Sequence, residues 1–475
     1  MNIALLSHEF ALAGIAFLIF ILDLFGAGKK TTGRVFTFSM LAMLVYVILS
    51  RKDGVMLDGA YATDGISWFA KIIFLSGAFL TGMLSVDTLK LSDKRAGAYY
   101  FLLASSTLGM MFLASSKELI TLYVSLELAT ISLYALAAIY REEALSLEAG
   151  IKYLILGAVS SGILLYGLSL IYGVTGTTYL DRILFYTTAN GFQPVFVLAV
   201  IMVILGIGFK LSMVPMHVWT PDVYQGSPTP VTAFISVASK AAGFIFAIRL
   251  LSYTLIKAGF VWEPILAILA LLTMTIGNLI AIPQKNIKRL LAYSTISQAG
   301  FLLVGFIGAP VIGVSSVLFY LLAYTVTNIA AFGVVAVFEK STGSNEIDDY
   351  AGLAQTQPVM ALTLMVALLS LAGIPPLVGF AGKVYLFYAA MEKGYLWLVI
   401  AGALNSTISL YYYLLILKRM YIWDKSKTST LPKVHVPAMV TAALIICCAA
   451  MLILGIMPGF VIDITNAAAE GMFRP

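Results

Sequence analysis

Residues 203–240 read VILGIGFKLSMVPMHVWTPDVYQGSPTPVTAFISVASK. An apolar helix reaches Lys210 and breaks at Pro215. It carries His217 and passes Pro221, Pro228 and Pro230 before apolar sequence resumes and meets Lys240. Buried lysines and broken helices are each costly in a membrane, so their coincidence calls for a reason.

The surrounding chain establishes that a membrane is the setting. Of 475 residues, 61% are hydrophobic and only 11% charged, too few charges to cover a soluble protein of this size. The apolar residues come in blocks of about 20, the length that crosses a bilayer core. No alternating pattern suggests a β-barrel. The net charge of +6 sits in short loops, where it sets orientation rather than binding nucleic acid. Cys447 and Cys448 are adjacent on a late apolar helix with no metal spacing around them, and read as small core residues. Residues 3–25 lack a basic n-region and a cleavage site, so the first helix is expected to stay in the protein.

The fold expected is an all-α polytopic membrane protein with one membrane domain over 1–475 and about fourteen spans. They fall near 4–25, 35–50, 66–86, 98–115, 119–139, 150–173, 194–219, 230–254, 262–282, 289–308, 311–338, 359–391, 395–422 and 436–458. The seventh and twelfth contain breaks. With the N-terminus outside, 17 Lys and Arg fall in inside loops, 8 in outside segments, and 4 lysines remain in spans. That bias places both termini on the outer side. Thr130-Ile131-Ser132 recurs as Thr295-Ile296-Ser297, and Tyr153-Leu154 with Val159 as Tyr320-Leu321 with Val326, at offsets of 165 and 167. Lys210 and Lys383, each in a proline-broken span, lie 173 apart. The unit is five helices, spans 4–8 (98–254) and 9–13 (262–422). An odd number inverts the second copy, the architecture of ion carriers.

The span lysines are Lys71, Lys210, Lys240 and Lys383. Lys71 lies near the end of its span, where it could snorkel and be structural. The other three have apolar sequence on both sides, at a cost of about 3 kcal/mol each on insertion scales. Desolvation disfavours the ammonium form, so such lysines can release and regain a proton. Glu127, in LYVSLELATISLY, reads as the only carboxylate deep in a span, a partner for one lysine or part of a static ion pair. His217 would share a face with Lys210 if the helix continued. It suits either proton relay or capping of freed carbonyls at the break. Ser294, Thr295, Ser297, Gln298, Thr325, Thr327, Asn328, Asn405, Ser406, Thr407 and Tyr411–Tyr413 form a polar band at similar depth, a hydrated axis or a set of helix–helix hydrogen bonds. There is no Walker loop, no dinucleotide glycine turn and no cysteine cluster, and His8 and His435 sit near span ends. The chain itself is expected to hold no cofactor and to move protons.

GFKLSMVPMHVWTPDVYQGSPTPVTAFISVASK resembles the signature of the antiporter-like, proton-translocating subunits of respiratory complex I, the NADH-quinone oxidoreductase. NIKRLLAYSTISQAGF and LAGIPPLVGFAGK resemble two further segments of that family, and the similarity covers nearly the whole chain. The larger sister in the family carries a lateral helix and an extra anchor beyond the fourteen-helix core, whereas this chain stops soon after span fourteen. The sisters tend to have histidine or lysine in span eleven, where FYLLAYTVTNIAAFGVV has neither. One sister has glutamate where this chain has Lys383.

The resemblance implies a relay: Glu127 as the span-five glutamate, Lys210 as the span-seven lysine it pairs with, Lys240 as the central lysine, Lys383 as the residue leading outward, and His217 as the histidine after Lys210. It further implies a bacterial inner-membrane location, and NADH, FMN, iron–sulfur clusters and quinone in partner subunits. Other membrane-arm subunits, among them a sister antiporter-like subunit and small membrane subunits, become expected neighbours. A subunit of a multisubunit cation/proton antiporter or a membrane-bound hydrogenase would share the fold, and a passive membrane-arm scaffold is the reading from another class.

Overall fold

Backbone facing lipid has no water to bond to, so apolar runs fold as helices that satisfy themselves. The computed structural model, which describes residues 3–422 and 435–473, is built almost wholly of them. The chain opens with α1 (Ser7–Leu24) and α2 (Lys29–Leu49), followed by a hairpin of β1 (Gly54–Met56) and β2 (Tyr61–Thr63). Then come α3 (Gly65–Thr88), α4 (Asp93–Ser115), α5 (Leu119–Ala137), α6 (Ala144–Thr175) and the short α7 (Leu180–Asn190). The first broken span consists of α8 (Pro194–Leu211) and α9 (Trp219–Gly226). Next, α10 (Thr229–Phe234) and α11 (Lys240–Ala247) are joined by a π-helical turn, Ile235–Ser239, and extended by another, Ile248–Thr254, into one 26-residue helix. α12 (Gly259–Ala281), α13 (Ile287–Phe306), α14 (Pro310–Thr342) and the single turn α15 (Leu353–Thr356) lead to the second broken span, α16 (Pro358–Ala372) with α17 (Val378–Glu392). α18 (Leu396–Tyr421), α19 (Ala438–Ile456) and α20 (Gly459–Phe473) complete the described chain.

Among the described residues, twelve helices are long and apolar enough to cross a membrane. α13 carries too many polar side chains to be one of them, and α16 and α17 are two 15-residue pieces. Twelve of the fourteen expected spans coincide with these helices, and the tenth and twelfth fall on α13 and on the α16–α17 pair. The hairpin, α7 and α20 were not expected. Lys425, Lys427, Lys433 and Arg474, used in the orientation count, lie outside the described residues, as does the side chain of Lys94.

α14 and the Thr229–Thr254 helix run through the interior, almost wholly buried. The periphery instead exposes Phe17, Phe38, Ile151, Val159 and Leu404, as a surface solvated by lipid does. One end of the bundle is tied by Lys340 donating to the Asp87 carbonyl, by Arg95 with Glu142, and by Asp222 between Lys152 and Arg289. The opposite end is tied by Arg249 with Asp64 and Lys117 with Asp181.

The starts of α5 and α13 are built alike, on opposite faces. At α5, Leu119 N donates to the Thr178 carbonyl and Leu180 N to that of Lys117; at α13, Ile287 N donates to Asn345 and Ile347 N to Lys285. Each helix is capped by the side chain before it, Glu118 accepting from Thr121 N and Asn286 from Lys288 N and Arg289 N. Position 118 thus matches 286 and 178 matches 345, close to the sequence offsets of 165 and 167. The inverted-repeat reading, 98–254 against 262–422, rests on these matched features.

Three ion pairs, each with a buried cation, correct the reading of the charges. Glu9, in α1, is wholly buried and meets Lys71 at 2.7 Å. Glu127 is therefore not the only carboxylate within a span that meets a lysine, and Lys71 is paired rather than snorkelling. Lys288 and Arg249, counted above as loop charges, are buried against Glu339 and Asp64. Each of these pairs joins residues at least 50 positions apart, so helical periodicity carries no signal of it.

Candidate functional site

A helix that stops inside a membrane leaves carbonyls without partners. Both broken spans solve this in the same way. α8 ends at Ser212, in the left-handed region at φ 57°, and α16 ends at Gly373, at φ 85°. Each break continues through an X-Pro bond in the cis form, Val214–Pro215 and Pro375–Pro376. Glycine is favoured at 373 on two counts, because a Cβ there would also stand 3.0 Å from Lys383 Cδ.

The freed carbonyls are taken by lysines. Lys240 Nζ donates to the Leu211 carbonyl and to Ser212 Oγ. Lys383 Nζ donates to the carbonyls of Leu371 and Ala372 at 2.9 and 3.1 Å and to Ser406 Oγ at 2.9 Å. A cation at a helix C-terminus is favoured by the carbonyl dipoles. Aromatic faces complete both sites, with Trp219 centred 5.6 Å from Lys240 Nζ and Phe301 4.3 Å from Lys383 Nζ. Lys240 follows directly on the π-turn, whose extra residue resets the direction of side chains along the helix.

Lys210 is held differently. It lies in the last turn of α8, 3.4 Å from the Glu127 carboxylate, and donates to Thr130 Oγ1 and Tyr134 OH on α5. Glu127 also accepts a 2.7 Å hydrogen bond from Ser161 on α6. The Glu127–Lys210 contact is therefore a half-buried pair, a buried lysine against a partly open carboxylate, with hydroxyls on both members.

The 173-residue offset between Lys210 and Lys383 does not relate equivalent positions. Lys210 precedes its break, and Lys383 follows its own and reaches back to it. Lys240 is the residue that does in the first half what Lys383 does in the second. His217 lies past the break, half-buried, and is not among the partners of Lys210, because α8 ends before the helix could bring it round.

Polar side chains occupy the interval between Lys240 and Lys383. Ser236, one turn before Lys240, accepts from Asn328 at 3.0 Å. One turn back on α14, Tyr324 OH donates to Thr295 Oγ1 at 2.9 Å. One turn along α13 from Thr295, Gln298 accepts from Tyr320 OH at 2.6 Å and donates to the Leu371 carbonyl that Lys383 also binds. Thr327 pairs with Ser370. Other members of the expected band serve packing: Thr325 bonds back to its own helix, and Asn405 joins Asn278 on α12. Sequence reasoning missed Tyr324 and the role of Tyr320. The two are four residues apart, one helical turn, and that spacing was the available signal.

Residues 116–409 match the family described as NADH:quinone oxidoreductase/Mrp antiporter, TM. The chain is 43% identical to the NADH-quinone oxidoreductase subunit N of Desulforamulus reducens over 99% of its own length and 98% of the relative's. It is 42% identical to the subunit N of Moorella thermoacetica over the whole of both. Among solved structures, a chain of respiratory complex I from Thermus thermophilus with bound aureothin superposes with a TM-score of 0.83, at 32% identity, covering 97% of this chain and 100% of that one. The Mrp complex from Dietzia sp. shares the fold, with a TM-score of 0.88 at 20% identity over 100% of this chain and 98% of that one. The chain belongs to the NADH:quinone oxidoreductase/Mrp antiporter family of membrane subunits, within its NADH-quinone oxidoreductase subunit N members.

Proposed function

We propose that this subunit moves protons along Glu127, Lys210, Lys240 and Lys383 while quinone is reduced in partner subunits of NADH-quinone oxidoreductase. The observation that carries the reading is the placing of Lys240 and Lys383 on neutral carbonyls, with hydroxyl and amide side chains between them. Carbonyl oxygens accept from an ammonium and, more weakly, from an amine, and the Ser212 and Ser406 hydroxyls can turn to donate to the amine lone pair, so each protonation state has partners. Asn328 and Gln298 orient water rather than hand on a proton, and the hydroxyls of Tyr324 and Thr295 supply the transfer between. Span eleven thus needs no histidine or lysine of its own.

Glu127 and Lys210 form the switch. Unit charges at about 4 Å interact by about 4 kcal/mol at an effective dielectric of 20, so parting them changes the field along the line to Lys240. An electrostatic change arriving from a neighbouring membrane-arm subunit drives the parting. NADH, FMN, iron–sulfur clusters and quinone belong to partner subunits in this scheme. Both termini lie on the outer side of a bacterial inner membrane. His217 stands off the line and takes no step.

Lys210→Ala or Glu127→Ala in the assembled complex is expected to lower pumping-coupled quinone reduction several-fold, measured in liposomes with a pH-sensitive dye. Full pumping stoichiometry in both variants would sink the switch. Replacing Lys210, Lys240 and Lys383 together without loss of pumping would establish the scaffold reading instead.

A further inference from the structure

On the face where Lys340 meets Asp87, a polar cavity of about 340 Å³ opens between helix ends. Its titratable and charged groups are Lys90 from the α3–α4 link, Tyr140 and Glu143 from the α5–α6 link, Lys288 from α13, Glu339 and Lys340 from α14, and Glu346 beyond it. Lys288 is buried, with Nζ 2.8 Å from the Ser227 carbonyl and 3.7 Å from Glu339. The Glu339 side chain keeps 24% of its surface open and accepts from Thr229 Oγ1 and, at 2.7 Å, from Asn345 Nδ2.

Ser227 and Thr229 sit where the first broken span hands over to the helix of Lys240. Along that helix Thr229, Thr232 and Ser236 recur at intervals of three and four, which keeps these hydroxyls on one face up to the π-turn that precedes Lys240. Eleven residues separate the carboxylate's hydroxyl partner from the lysine, about 16 Å of helix rise. Ser236 is the residue already bonded to Asn328 on the interior line.

We propose that Glu339, held by Lys288, is the loading site through which protons reach Lys240, a proposal that rests on the relay described above. A proton from water in the cavity binds the Glu339 carboxylate and weakens its hold on the Lys288 ammonium. The proton then passes along the hydroxyl face, bridged by water, to the Lys240 amine. Glu339 returns to its charged form and pairs again with Lys288. One proton moves inward and no other bond changes. A clamp that only fixes α13 to α14 would need the pair, but not its opening onto solvent nor the link to Thr229.

The test uses the assembled complex in liposomes, with the initial rate of proton translocation read per quinone reduced. Glu339→Gln is expected to lower it at least fivefold, Glu339→Asp to recover at least half, and millimolar formate on the cavity side to restore Glu339→Gln but not Lys240→Ala. A weak acid can replace a missing proton donor and cannot replace a clamp. Wild-type pumping by Glu339→Gln, or a loss that neither aspartate nor formate relieves, would overturn the proposal. If Glu339→Gln does not assemble, Thr229→Val against Thr229→Ser reads the same step, with a several-fold fall expected for valine only. Equal rates in those two would overturn it. If Lys240→Ala also pumps fully, the relay falls rather than its entrance.

Discussion

Replacing Lys240 with arginine is expected to stop proton translocation almost as completely as replacing it with alanine, by tenfold or more. The positive charge is kept, and the Leu211 carbonyl and Ser212 hydroxyl still have a donor to accept from. What is lost is the neutral state, because a guanidinium does not give up its proton in a protein. A purely structural cation would tolerate the exchange. The two variants therefore separate a transfer station from a helix cap. Dye quenching in liposomes, normalised to quinone reduced and to subunit content, decides between them, and normal pumping by Lys240→Arg would remove Lys240 from the relay.

Asp64→Ala should have the largest effect on stability, about 3 kcal/mol or more. Arg249 is fully buried and bound bidentately to Asp64 at 2.6 and 2.8 Å, with Ala114 O as its other acceptor. Unlike lysine, it cannot shed its charge when its partner is removed. The same substitution deletes the capping box in which Asp64 accepts from Ser67 N at the start of α3. Burial works against the Asp64 carboxylate, but the Arg249 guanidinium and the Ser67 amide outweigh it and hold the carboxyl below its usual range. A depressed folded value means that the stabilisation is present above the ordinary carboxylate range and lost as pH falls through the folded value. Wild type should therefore lose thermal stability in acid while Asp64→Ala, lower throughout, changes less. A melting temperature of Asp64→Ala within about 1 °C of wild type would contradict this.

Composition and the length of apolar blocks were enough to read a helical membrane protein and both broken spans. The prolines beside Lys210 and before Lys383 located the breaks without alignment. Sequence could not show what the breaks are for, because the carbonyls of Leu211 and Leu371 leave no mark in residue identity. Hence Lys383 was matched with Lys210 rather than with Lys240. Glu9 was passed over for a related reason. It lies three residues into α1, where a carboxylate ordinarily faces water, and only the packing of α1 near α3 buries it against Lys71. Glu339 likewise reads as the polar end of an apolar helix until Lys288, 51 residues earlier, is folded beneath it.

The hydroxyl of Tyr324 points its hydrogen at Thr295, and that of Tyr320 points at Gln298. When a proton hops through a hydroxyl, the oxygen takes a hydrogen on one side and releases one on the other, so the dipole is left reversed. A second proton cannot follow until the group has swung back. If protons take the proposed path, such a line would keep a one-step memory of its last passenger, and its resting orientation would favour one direction. In the proposed relay, the turning of a tyrosine would then set a dead time between successive protons, independent of how fast the lysines exchange them.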